Sequence, residues 1–194
     1  FVPTTEDVPS KITVKLESAH DLPPMDRYDL ADPYVQLQVV YRIKDESKPK
    51  TGVSKTQFNK KQMGQSEPKT KTLEPRWTDQ KPFEFTDKLG VTEFTDKLEA
   101  IVCFKVWDKG DLSDGQLSDD FIGDAEMPLE DVLKAPGHKL TKELEITLSD
   151  KSNKSLASLV VRTGQPRVPR LCVSVSISYE KSDAEASQPE PEPV

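Results

Sequence analysis

The chain has 194 residues, a formal net charge of −7 and a hydrophobic content of only 34%, below the roughly 45–50% of an average globular domain. Its length favours one domain, no stretch approaches the roughly 18 apolar residues of a membrane span, and the first residues carry no signal-peptide pattern. No Gly-rich phosphate loop, nucleophile elbow or paired His–carboxylate motif is present, so the chain is not read as an enzyme.

Residues 1–10 (FVPTTEDVPS) read as a flexible N-terminal segment. Residues 12–17 (ITVKLE) then alternate apolar and polar, as do 34–41 (YVQLQVVY), and both predict half-buried strands. The connection 43–66 is polar and Lys-rich with scattered Pro and Gly, and reads as a long basic inserted loop. A short strand is expected near 69–73 and another at 83–85. Residues 100–107 (AIVCFKVW) form the strongest strand signal, followed by 121–127, 144–148 and 171–179. One short helix is expected at 129–133, entered through Pro128. Eight strands joined by Pro, Gly, Asp and Ser, with no long amphipathic helix, predict an all-β fold, an antiparallel β-sandwich spanning 11–180.

Residues 181–194 end in SQPEPEPV and cannot bury enough surface to offset ordering entropy, so a disordered acidic tail is expected. The chain begins at Phe1, not Met, and its end resembles an interdomain linker, which favours a domain of a longer protein. Cys103 shares a strand face with Lys105, and Cys172 with Ser174 and Ser176. Side chains alternate along a strand, so both thiols are expected free, on solvent-side faces, in a reducing compartment.

Charge is uneven. Between Arg42 and Lys71 there are nine basic and three acidic residues, a net +6 that leaves −13 elsewhere. A basic patch on an acidic chain points to an anionic partner at one place. It lacks the interleaved aromatics of a nucleic-acid surface, so nucleic acid is excluded as partner. His20 and His138 are the only histidines, which argues against zinc.

The acidic residues form two groups. Asp26, Asp29 and Asp32 follow the first strand, and Asp108, Asp111, Asp114, Asp119 and Asp120 follow the strand at 100–107. Brought together they would make an all-oxygen pocket suited to calcium, which takes roughly 6–8 oxygen ligands. For any single Asp a turn role is the plainer reading, because its carboxylate bonds nearby backbone N–H groups.

Three blocks carry a family resemblance. Leu22-Pro23-Pro24-Met25-Asp26 with Asp32-Pro33-Tyr34-Val35, the run KTKTLEPRW at 69–77, and Val106-Trp107-Asp108 with Asp120-Phe121-Ile122-Gly123 resemble, in order and spacing, C2 domains. These are the calcium- and phospholipid-binding modules of protein kinase C, synaptotagmin and the ferlins. The resemblance implies an eight-stranded antiparallel sandwich with three loops converging at one end. It also implies the permuted strand order, with an extra C-terminal strand at 171–179, shared by novel protein kinases C and phospholipases.

Carried over by position, the resemblance implies calcium ligands at Asp26, Asp32, Asp108 and Asp120. The fifth family ligand falls on Gly110, and the third loop is longer than usual, so Asp111 or Asp114 is expected to substitute. Carbonyls near Met25 and Lys109 would complete the shell. Tyr34, Lys69 and Lys71 match residues that bind lipid headgroups in some members, although Gln36 stands where a Lys is usual. Tyr28 and Leu112, with Met25, Leu30 and Leu117, are apolar residues of the loop tips placed to meet a bilayer, or, for Leu30 and Leu117, to pack inward under the loops. The function implied is calcium-dependent peripheral binding to anionic phospholipid, phosphatidylserine or phosphoinositide, by a cytoplasmic protein recruited in signalling or membrane traffic when calcium rises. The alternative is a calcium-independent domain that binds a protein partner on the same scaffold.

Overall fold

The computed structural model describes residues 9–26, 30–43, 57–85, 98–111 and 118–179. Two antiparallel sheets face each other. The first has the order β4-β1-β9-β7 and the second β3-β2-β5-β6-β8. The strands are β1 (Pro9–His20), β2 (Pro33–Ile43), β3 (Gln57–Gln65), β4 (Phe83–Phe85), β5 (Leu98–Asp108), β6 (Asp120–Pro128), β7 (Lys139–Glu145), β8 (Thr147–Leu148) and β9 (Arg170–Tyr179). Among the described residues two α-helices, α1 (Leu129–Lys134) and α2 (Asp150–Thr163), and one 3-10 turn, Pro136–His138, accompany them.

Alternation builds the core. Ile12, Val14 and Leu16 on β1, with Val173, Val175 and Ile177 on β9, project from the first sheet. They meet Val35, Leu37 and Val39 of β2, and Val102, Phe104 and Val106 of β5. Ile122 and Met127 of β6 and the fully buried Trp77 complete the cluster. Each buried aliphatic or aromatic side chain stabilises the sandwich by roughly 1.5–3 kcal/mol. α1 adds Leu129 and Val132 to the same core, and Pro128 occupies its N-cap.

The expected antiparallel sandwich is present, and several local expectations need correction. The N-terminal segment expected at 1–10 already enters β1 at Pro9, which pairs with Tyr179. The loop expected across 43–66 contains β3, paired antiparallel with β2 from Gln36↔Gln65 to Arg42↔Gln57. Its polar, Lys-bearing sequence gives no strand alternation because it is an edge strand, where charge deters pairing with another chain. The strand expected at 144–148 is two strands in different sheets. β7 pairs with β9 and β8 with β6, and the buried Ile146 lies between them.

No strand forms at 69–73. That segment follows Ala31–Val35 through three bonds, Ser66 N–H to Val35 O, Lys69 N–H to Pro33 O and Thr72 N–H to Ala31 O. Pro68 has no N–H to continue a ladder, and Lys71 takes a left-handed φ of 51°. Lys71 is therefore a turn residue and Lys69 lies in the irregular connection before it, neither in a strand.

The sequence reading also missed α2. Its apolar stripe is thin, with only Ser152, Leu156 and Leu159 buried. Its ends are well marked: the Ser149 hydroxyl accepts from Ser152 N–H, and Gly164 closes the helix at φ 68° with its N–H on Val160 O.

Neither cysteine is in a disulfide, but Cys103 is only 8% exposed. Its parity is as expected, opposite to Val102 and Phe104. That outer face carries its own small apolar cluster with Val40 and Ile101, and β5 is flanked on both sides by β2 and β6. Cys172 is half-buried. Burial pushes its thiol up, and Glu143 and Glu17 add to the effect.

A candidate cation and membrane site at the loop end

Sheet register determines what meets at this end. Asp32 immediately precedes β2, Asp108 is the last residue of β5, and Asp120 is the first of β6. In the ladders Pro33 pairs with Asp108, and Asp108 with Asp120. Three carboxylates far apart in sequence thus form a row across three neighbouring strands. Alternation aligns Val35 with Val106 and Val106 with Gly123, and a bulge at Ile122 then shifts the register by one residue so that Asp108 faces Asp120.

Each carboxylate is engaged. Asp108 is 1% exposed, and its Oδ1 accepts the Asp32 N–H at 2.6 Å. The Asp32 carboxylate accepts the Lys71 N–H, and its carbonyl accepts the Lys109 N–H at 3.0 Å. Asp120 is ion-paired with Lys151 of α2. Asp26 closes the first loop: its Oδ1 accepts the Leu30 N–H at 3.0 Å, while the Met25 and Asp26 N–H groups donate to Leu30 O.

Asp119 organises the base of the third loop. It accepts the Tyr34 hydroxyl at 2.7 Å, the Gly110 N–H at 3.0 Å and the Lys109 ammonium at 3.2 Å. Burial pushes its carboxyl up, but these donors outweigh burial and hold it below the usual carboxylate range. Burial, then the Asp119 bond and charge, push the Tyr34 phenol well above its ordinary range. Gly110 also lies tight against the Ser118 backbone: a Cβ there would come within 2.7 Å of Ser118 O. The residue at the family's ligand position is thus held close to the opposite arm of the loop.

The expected site residues divide as follows. Asp26, Asp32, Asp108 and Asp120 are all at the loop end, and Asp111, three residues after β5, is exposed. Met25 is half-buried against the core, with the Ser152 hydroxyl 3.6 Å from its sulfur, so its side chain packs inward. Lys109 is exposed and bonded to Asp119. Tyr34 is 4% exposed, its hydroxyl committed to Asp119. Lys69 is half-buried, 3.8 Å from Asp79, and Lys71 is exposed beside Asp32. Asp114, Tyr28 and Leu112 lie outside the described residues.

Sequence reasoning missed Lys151 and the rest of the α2 contact. Ser155 donates to Pro24 O in the first loop, Ser149 Oγ donates to Phe121 O at 2.9 Å, and Ser149 N–H donates to Ile122 O at 2.9 Å. α2 thereby joins the first loop to the start of β6. The spacing of Ser149, Ser152 and Ser155 on one helix face was the available signal.

The donors at this end are all oxygen, which is the chemistry of a hard divalent cation. Among the described residues, however, no group of three or more His, Cys, Asp or Glu side chains is close enough together to hold a metal. The carboxylates are instead matched by backbone N–H groups and by the ammonium groups of Lys151 and Lys109. Among the described residues no helix is long and apolar enough to cross a membrane.

Comparison with solved structures supports the fold. The first C2 domain of plant extended synaptotagmin 1 aligns at a TM-score of 0.53 and 17% identity, over 90% of this chain and 98% of that domain. Extended synaptotagmin 2, in a structure of its SMP domain and its two C2 domains A and B, aligns at 0.52 and 16%, over 89% of this chain and 28% of its own. Human GIVD cytosolic phospholipase A2 aligns at 0.52 and 18%, over 91% of this chain and 17% of its own. At these identities the likeness is one of fold. The C2 domain family model matches residues 10–146, well over half of the sequence. The chain belongs to the C2 domain family.

Proposed function

We propose that this domain binds anionic phospholipid through its loop end, and that calcium, held by Asp26, Asp32, Asp108 and Asp120 with Asp111 or Asp114, drives the association. The row of carboxylates at the ends of β2, β5 and β6 carries the reading. A divalent cation among these strand-end carboxylates would invert the local potential, so that lipid phosphate meets attraction in place of repulsion. Lys69 and Lys71 border the same end, and each cation near an anionic leaflet contributes about 1 kcal/mol. Tyr34 acts by holding Asp119, and through it the third loop. The module is a binding domain without chemistry of its own. Its setting is the cytoplasmic leaflet, phosphatidylserine or phosphoinositide its target.

A second reading is favoured by the Lys151–Asp120 and Lys109–Asp119 pairs. Here the ammonium groups stand where a cation would, and the domain binds a protein partner or lipid without calcium. Liposome co-sedimentation separates the two. Binding to phosphatidylserine vesicles that needs calcium and disappears in Asp32→Asn/Asp108→Asn supports the first. Equal binding in chelator, or none with any vesicle, overturns it.

A further inference from the structure

The region from Asp150 to Arg170 contains five basic residues (Lys151, Lys154, Arg162, Arg167 and Arg170) and one acidic residue, Asp150, in a chain of net charge −7; Lys151, Arg167 and Arg170 are ion-paired with Asp120, Asp21 and Glu143. Most of it is α2, which lies beyond the residues matched by the family model. One face of α2 buries Ser152, Leu156 and Leu159. With 3.6 residues per turn, Lys154 and Val161 lie on the opposite face two turns apart, with Asp150 and Ser158 beside them and Lys151 and Arg162 along one flank. All six are exposed. Val161 is 83% exposed, the highest value for a large apolar side chain among the described residues. An exposed Val is unfavourable in water by the transfer term of one aliphatic side chain, and core packing does not require it there.

The position of this ridge follows from the contacts of the buried face. Ser152 reaches Met25 and Ser155 reaches Pro24, both in the first loop, and Lys151 reaches Asp120 at the start of β6. The helix is therefore fastened to the end of the sandwich that carries the carboxylate row.

We infer that the outer face of α2, centred on Lys154 and Val161 with Arg162, is a second contact with an anionic bilayer, beside the loops. This rests on the membrane reading proposed above. The flanking Lys and Arg match an anionic leaflet in the sign of their charge, and Val161 supplies one apolar side chain to its interface. The surface is convex and bears one large apolar side chain, so it suits a deformable lipid interface better than the cleft-filling anchors of a protein interface. Its cations also act without calcium, so the helix would supply part of the affinity in chelator.

Vesicles of phosphatidylcholine, with and without phosphatidylserine, test the inference on the full chain. Lys154→Glu/Arg162→Glu is expected to weaken binding to phosphatidylserine vesicles by at least about tenfold, from the per-cation contribution near a charged leaflet, with far-UV circular dichroism unchanged. Val161→Trp is expected to show blue-shifted emission when those vesicles are added. If Val161→Trp sediments with the vesicles but its emission does not shift, the ridge faces away from the lipid. The inference then fails while the loop-end reading stands, and an acidic protein becomes the candidate occupant. If the wild-type chain sediments with no vesicle at any calcium concentration, both fail.

Discussion

The Tyr34 hydroxyl donates a 2.7 Å hydrogen bond to Asp119, tying the first turn of β2 to the third loop across 85 residues of sequence. Through Asp119 the tie extends to the Gly110 N–H and the Lys109 ammonium. Tyr34→Phe should cost about 1.5 kcal/mol, the low end for bonds to charged groups because Asp119 is partly exposed. The pH dependence identifies the cause. A carboxyl held low stabilises the fold above its unfolded value of about 3.9, and that contribution is lost as pH falls through the folded value. A phenol held high stabilises the fold below about 10, and that contribution is lost as pH rises through the folded value. Melting temperature against pH should therefore fall at both ends for the wild type, and Tyr34→Phe should flatten the alkaline limb. Identical profiles would mean that the bond does not stabilise the loop.

Lys151→Met removes the ammonium from Asp120. An exposed ion pair contributes about 0–1 kcal/mol, so thermal stability should change little. If calcium displaces Lys151, calcium affinity should rise by up to about fivefold, the equivalent of 1 kcal/mol. Calorimetric titration measures it directly, and an unchanged or lower affinity would rule out displacement.

Ser149→Ala deletes the N-cap of α2 and its bond to Phe121 O. A lost cap costs about 0.5–2 kcal/mol. Hydrogen exchange should quicken at the Ser152 and Asn153 amides while β1 and β9 stay protected. Uniform loss of protection across both sheets would show instead that the helix is part of the global folding unit.

Phe104 is fully buried on the central strand of the second sheet. Phe104→Ala should destabilise by about 3–5 kcal/mol, read as the shift in urea midpoint at constant slope. A loss below about 1 kcal/mol would mean that the core collapses around the gap.

The sequence made the sandwich legible because the central strands alternate cleanly, as in β2 and β5. The four carboxylates were legible as candidates only through the resemblance of their flanking motifs to C2 domains; the bulge that sets Asp108 opposite Asp120 leaves no sign in the alternation. The sequence did not expose β3, whose polar composition suits an edge, nor α2, whose stripe of Ser152, Leu156 and Leu159 is too thin to read as amphipathic. Nor could it foresee that Lys151 would meet Asp120, since that contact depends on how the helix returns across the loop end. The split of 144–148 between two sheets hinges on one residue, Ile146, whose N–H turns to Pro169 O.

Pro9 and Tyr179 face each other at the far end of the β1–β9 ladder, and His20 and Arg170 at the loop end. Pro9 and Tyr179 therefore lie together, remote from the loops. Tension applied between these two residues would load the ladder one hydrogen bond at a time, because antiparallel bonds lie across the strands. The domain would open like a zip from that end, and the carboxylate row, at the opposite pole, would be the last region to feel the pull.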